Sequence, residues 1–377
     1  MSDNNGRSPE DDDAQKDPAE ELREALRNML HGGQGFDASK LAGVAGLPGD
    51  PALVQQLVAQ MQRALMQDGK GFSADTAAEH AKQIVSQGHR EVSDEEETRY
   101  EHTFRLAELW LAEATTIGEL VETPRTMTRR EWVGESAPTW ASLAEPVADS
   151  IADALMRALT EQLPDEMLGM VGQSNTMLRN IGGAMFSMQL GQVIGDLAKV
   201  VISGGDIGMP VLTRRRATLI PQNVDAFGEG LDIPASEVEL YLAVREVAHA
   251  RLFQHAKWLP LHLTSQVIEF AHGIQIDVRA IDDLASQIDP SSPEQIREAL
   301  SNGSFIPPRT PQQEAALARI ETMLALVEGW VDVVTQEAVE RLPKGEALGE
   351  MMRRRRASGG PAERAFSSLV GLELRPR

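Results

Sequence analysis

A chain of 377 residues with 42% apolar and 25% charged residues has the make-up of a globular protein with a sizeable core. Its formal net charge of -21 argues against electrostatic binding to nucleic acid or to an anionic membrane surface. There is no cysteine, which excludes disulfides, thiol catalysis and cysteine-bound zinc.

Aromatic residues are scarce at 4%, which favours helix over sheet. Residues 1–18 are rich in Asp, Glu, Asn and Pro and read as a disordered acidic N-terminus. No apolar h-region marks a secretory signal there, so a cytoplasmic location is expected. Residues 19–92 read as an N-terminal helical segment, with helices over Glu20–Leu30 and Ala52–Met66 around a Gly32-Gly33 break. Residues 93–377 then form the main helical domain.

Ser93 and Glu96 match a capping box and open a helix reaching about Ile117, with Phe104, Leu106, Leu109, Trp110 and Leu111 as its apolar stripe. Thr128 and Glu131 repeat that signature. Trp132 and Trp140 bracket a short break before another long helix ending near Pro164. Gly183, Ser187, Gly191 and Gly195, four apart, form a ridge that lets a neighbouring helix come close. The surrounding apolar run, Ile181 to Ile202, contains Gln189, Gln192, Asp196 and Lys199, so membrane insertion is not expected.

Helical period is lost from Ser203 to Pro234, where Thr218–Val224 is the one candidate strand. Arg214 to Arg216 form a basic run. Ser203-Gly204-Gly205-Asp206 is a Gly-rich turn without the lysine of a phosphate-binding loop. Ser236 and Glu239 offer a cap for a helix reaching Ala256. After a turn at Trp258-Leu259-Pro260, a second helix spans Leu261 to Asp283, so the pair predicts an antiparallel hairpin. Thr310, Pro311 and Gln313 start a long helix running to about Arg341, and Arg353–Arg356 end a further helix.

The hairpin carries the chemistry. Arg245-Glu246-Val247-Ala248-His249 departs from the zinc motif HExxH at its first position only. In that motif two histidines four apart share a helical face and bind zinc, and the glutamate serves as general base. A guanidinium stays protonated and has no lone pair for a metal. A second ExxH set, Glu269 with His272, mirrors Glu246 with His249 about Leu259. In an antiparallel pair His249 and Glu269 would stand at one height.

Glutamate-ligand zinc peptidases resemble this spacing, because their third ligand follows the second histidine by about twenty residues. That resemblance implies Glu246 as base and His249 with Glu269 as ligands. Over a longer stretch, Arg245 to Phe253 with Trp258-Leu259 is similar to a family of actinobacterial zincin-like metallopeptidases, also called zinc-dependent hydrolases. Arg130-Glu131-Trp132, Gly191 to Leu197, Val327 to Val331 and Arg353 to Pro361 support the resemblance, which covers about Arg130 to the end. It includes a branch with arginine at the first histidine.

The resemblance implies a mainly α, multi-helix zincin-like domain with at most a small β element. It also makes Glu328 a candidate ligand through the pair Glu328-Gly329. Arg245, His272 and His255 complete the expected pocket. Two readings stay open: a zinc-dependent hydrolase with a degenerate site, or a non-catalytic module binding a peptide or protein partner. A carboxylate-bridged di-metal bundle is a third, and it lacks an evident second glutamate.

Overall fold

The computed structural model describes residues 72–161, 171–214, 216–273 and 309–370. The acidic N-terminus, the two helices expected before residue 67, and the stretch of the second motif helix beyond Gly273 lie outside the described residues. Within them the fold is helical, with a single two-stranded sheet.

Helix α1 (Ala74–Ser86) is capped by Ser73, whose hydroxyl accepts from the Thr76 N–H at 3.3 Å. It buries Ala77, Ala81 and Val85, four apart along one face. That face lies on α4 (Val171–Ala198) at the small-residue ridge. A Cβ at Gly191 would meet the Ala77 carbonyl oxygen at 2.6 Å, and one at Gly195 would meet Ile84 at 2.9 Å. Ser187 accepts the Ser73 N–H at 2.9 Å. The ridge therefore works as expected, with α1 as its partner.

Helix α2 (Asp94–Ala114) has the full Ser93–Glu96 capping box and buries Tyr100, Phe104, Ala107 and Leu111. Leu106 and Leu109 point outward instead, since they fall off that i,i+3/i+4 stripe. Helix α3 (Arg129–Glu161) passes straight through the expected break and through Pro138 and Pro146. The Thr128–Glu131 cap forms, at 3.1 Å from Glu131 N–H to the Thr128 hydroxyl.

Strand β1 (Arg125–Thr126) pairs in parallel with β2 (Thr218–Leu219), Arg125 opposite Thr218. The predicted strand stops at Leu219 because Pro221, at the first helical position, opens α5 (Pro221–Gly228). Helix α6 (Ala235–His255) begins after Pro234 without a side-chain cap. Glu239, the expected capping partner, is buried and bonds Arg99 of α2 at 3.1 Å. Every residue from Val238 to His249 is buried, as befits a helix at the centre of the domain.

Helix α7 (Trp258–His272) follows after two residues. The expected side-by-side hairpin is not what packs: α7 lies on α3 and on α8 (Pro311–Ala338), while α6 lies on α2, α5, α8 and on α9 (Gly345–Ala357). The apolar face of α7, Leu263, Val267 and Phe270, joins the cluster built by α1, α3 and α4, which pulls it off α6. Helix α10 (Pro361–Val370) closes the described chain against α4. Helix α8 starts at the predicted Thr310–Gln313 capping box and crosses two hydrophobic clusters. Ala316, Ile320, Leu324 and Val327 enter the first, whereas Val331, Val334 and Ala338 enter the second with α2 and α6. Glu328 falls at the seam.

Among the described residues, no helix is long and apolar enough to cross a membrane.

Candidate functional site

Three of the motif's side chains are almost wholly buried: Arg245, Glu246 and His249. Their spacing splits them over two directions. Arg245 and His249, four apart, face α8, while Glu246 faces the loop 203–205 and β2.

Toward α8, His249 Nδ1–H donates to the Arg245 carbonyl at 3.1 Å, and Nε2 meets Glu328 Oε1 at 3.2 Å. The Arg245 guanidinium donates to Glu328 and to Asp332, one helical turn further along α8. Arg356, from the end of α9, donates to the same two carboxylates. Two guanidiniums thus balance two carboxylates in a closed ring with His249 at its edge. Burial alone would raise the Glu328 carboxyl. The charges of Arg245, His249 and Arg356, with the His249 hydrogen bond, outweigh it and hold Glu328 well below the usual carboxylate range. Burial would lower the Arg245 guanidinium, and the Glu328 and Asp332 charges raise it instead.

Toward the loop, the Glu246 oxygens accept the Thr218 and Gly205 N–H groups, each at 2.9 Å. Burial raises the Glu246 carboxyl above its ordinary value against the opposing pull of His249 and these donors. Gly204 N–H donates to the Thr218 carbonyl at 3.0 Å, so the Gly-rich turn is a sheet edge laid over the motif helix. Here glycine is required by space. A Cβ at Gly205 would meet His249 Cβ at 2.6 Å, with Glu246 Oε2 at 3.0 Å. Gly205→Ala is expected to cost about 1–3 kcal/mol by overpacking, read by urea denaturation. Glu246, His249, Gly205, Arg214 and Phe253 surround a cavity of about 30 Å³, room for about one water.

The structure brings Arg245, Glu246, His249 and Glu328 together. It does not bring Glu269 there. Because α7 packs away from α6, Glu269 accepts from Gln312 at 3.3 Å and Arg319 at 3.4 Å on the flank of α8. His272 ends α7 exposed, and His255 faces the Glu119 carbonyl at 3.4 Å, so neither joins the cluster. Asp332, Arg356, Gly205 and Thr218 belong to the site and were missed. Asp332 shows in the sequence as a second carboxylate four residues after Glu328, and the other three lie in the basic run, the Gly-rich turn and the candidate strand, none of which points to the motif.

A zinc ion does not fit this set. His249 Nε2 and Glu328 Oε1 could be two of its ligands, since two atoms on one tetrahedral zinc are roughly 3.3 Å apart. The third position is Arg245, which has no lone pair and fills the space with a cation. Glu246 is turned to the backbone amides. Among the described residues no group of three His, Asp or Glu is arranged to hold a metal.

Comparisons with known proteins place the chain. Its fold is similar to that of a Chloroflexus aurantiacus protein whose crystal structure is described as that of "a putative hydrolase with a novel fold". The TM-score is 0.54 at 17% identity, over 81% of this chain and 83% of the other, a likeness of fold alone. No curated protein matches. The family model for zincin-like metallopeptidases matches residues 72–377, which takes in every described helix and the whole site. The chain belongs to the zincin-like metallopeptidase family.

Proposed function

We propose that this chain is a metal-free, non-hydrolytic member of its family that keeps the fold as a binding module for a peptide or protein partner. One observation carries the reading: the Arg245 guanidinium pairs with Glu328 and Asp332 where a metal site would need a lone pair. A buried cation already neutralises the carboxylate that a zinc ion would use. Two further features support it. The space between Glu246, His249 and the glycine turn is narrow, with room for about one water. Glu246 also spends its carboxylate on holding Gly205 and Thr218.

Elemental analysis of untagged protein, with a peptidase assay run with and without chelator, tests this. Zinc well below one per chain and no chelator-sensitive cleavage are expected. One firmly held zinc per chain with chelator-sensitive cleavage would overturn the reading and restore the hydrolase.

A further inference from the structure

Away from the motif, exposed large apolar side chains collect at one end of the α7–α8 pair. Trp258 and Leu261, three apart on the outer face of α7, are 60% and 67% exposed. Antiparallel packing of α7 on α8 sets Arg319 against Gln266, and Gln313 against the Phe270 carbonyl at 3.4 Å. Carried two turns further, that register brings Leu326, 60% exposed, to the first turn of α7. Val121, 87% exposed, arrives from the loop between α2 and β1. Its N–H donates to the Gln254 side chain at 3.0 Å, and Gln254 donates to the Glu119 carbonyl at 3.0 Å. Gln254 lies four residues before Trp258, so the loop is pinned beside the start of α7. Single apolar residues scattered over a surface are ordinary, whereas a firmly held cluster around a tryptophan marks a contact surface.

The rim of this cluster carries both signs of charge. Lys257 adjoins Trp258 and Glu122 adjoins Val121; both are exposed, and among the described residues neither is in an ion pair. We propose that this surface binds a second copy of the chain across a two-fold axis, with Trp258, Leu261, Val121 and Leu326 at its centre. In a two-fold interface the same patch is used twice, so a group on one side of the axis meets the group from the other side of its copy. An axis passing between Lys257 and Glu122 sets each lysine against Glu122 of the other copy, and the charges complement. An apolar centre within a charged rim is also the usual anatomy of a protein interface. A lipid surface fits less well, because Glu122 and the net charge of -21 oppose an anionic headgroup. None of these residues belongs to the Arg245 cluster, so the inference stands apart from whether the motif holds a metal.

Sedimentation equilibrium of the full chain over the micromolar range provides the test. A monomer–dimer equilibrium is expected, and Trp258→Ala or Leu261→Ser should each weaken it about 10-fold or more. Lys257→Glu and Glu122→Lys should each weaken it as well, while the two together should restore it, because the swap leaves opposite charges facing each other. Circular-dichroism melts matching wild type would show that these surface variants are folded. A chain that stays monomeric, a dimer indifferent to Trp258 and Leu261, or no recovery in the doubly swapped chain would overturn the proposal. Monomer that binds phosphatidylcholine vesicles, and loses that binding with Trp258→Ala, would overturn it in favour of a lipid contact.

Discussion

Arg245→Ala is expected to cost about 3–5 kcal/mol of stability, because it leaves the buried Glu328 and the half-buried Asp332 with only Arg356 between them. Lysine at the same place restores charge but not the two-pronged fork, so Arg245→Lys should recover part of the loss. The sign of the pH dependence follows from Glu328. Its native carboxyl lies below the ordinary range, so it contributes stability above the unfolded glutamate value, lost as pH falls toward the native one. Without Arg245 the main lowering charge is gone and burial pushes the carboxyl up. The deficit of Arg245→Ala should therefore shrink between about pH 8 and about pH 5, as Glu328 takes up a proton. Urea denaturation of both proteins at the two pH values reads this out. A deficit that stays constant or grows on acidification would show that Glu328 does not depend on Arg245.

Arg245→His should have the opposite character. It removes the competing cation and adds an imidazole four residues before His249, on the face that meets Glu328. His249 is already oriented by its Nδ1 hydrogen bond to the backbone, the arrangement that metal-bound histidines use. Loss of a mere supporting group costs metal sites about 10–100-fold in affinity, so gain of a third ligand should tighten zinc binding by about 100-fold or more. Zinc titration of the two proteins checks it. Equal and negligible affinity would mean that α6 and α8 hold the histidine and the glutamate too rigidly in their present pairing. Tighter zinc without cleavage would fit the cramped space above Glu246.

The helical class and the Ser93, Thr128 and Thr310 caps were legible because each rests on residues within one turn. The motif was legible for the same reason, and the glutamate–glycine resemblance led to Glu328. Glu269 failed because its placement assumed that neighbouring helices in sequence are neighbours in space. The apolar residues of α7 pack instead into the cluster formed with α3 and α8, which no spacing rule about Leu259 could register. Arg356 and Gly205 were hidden by distance along the chain. A basic run and a Gly-rich turn acquire meaning only when α9 and the loop 203–205 are brought against α6.

The parallel pairing of β1 with β2 has a consequence for how the molecule assembles. The two strands lie on either side of α3 and α4, so their ladder closes only after that whole stretch of chain has been gathered in. Thr218, one of the two donors to Glu246, sits on that ladder. The helices can form within their own segments early, while the strand that supplies one donor to the carboxylate at the heart of the motif is set by a long-range closure. During refolding, full burial of Glu246 should follow formation of the helices, and a slowed closure would leave it transiently in water.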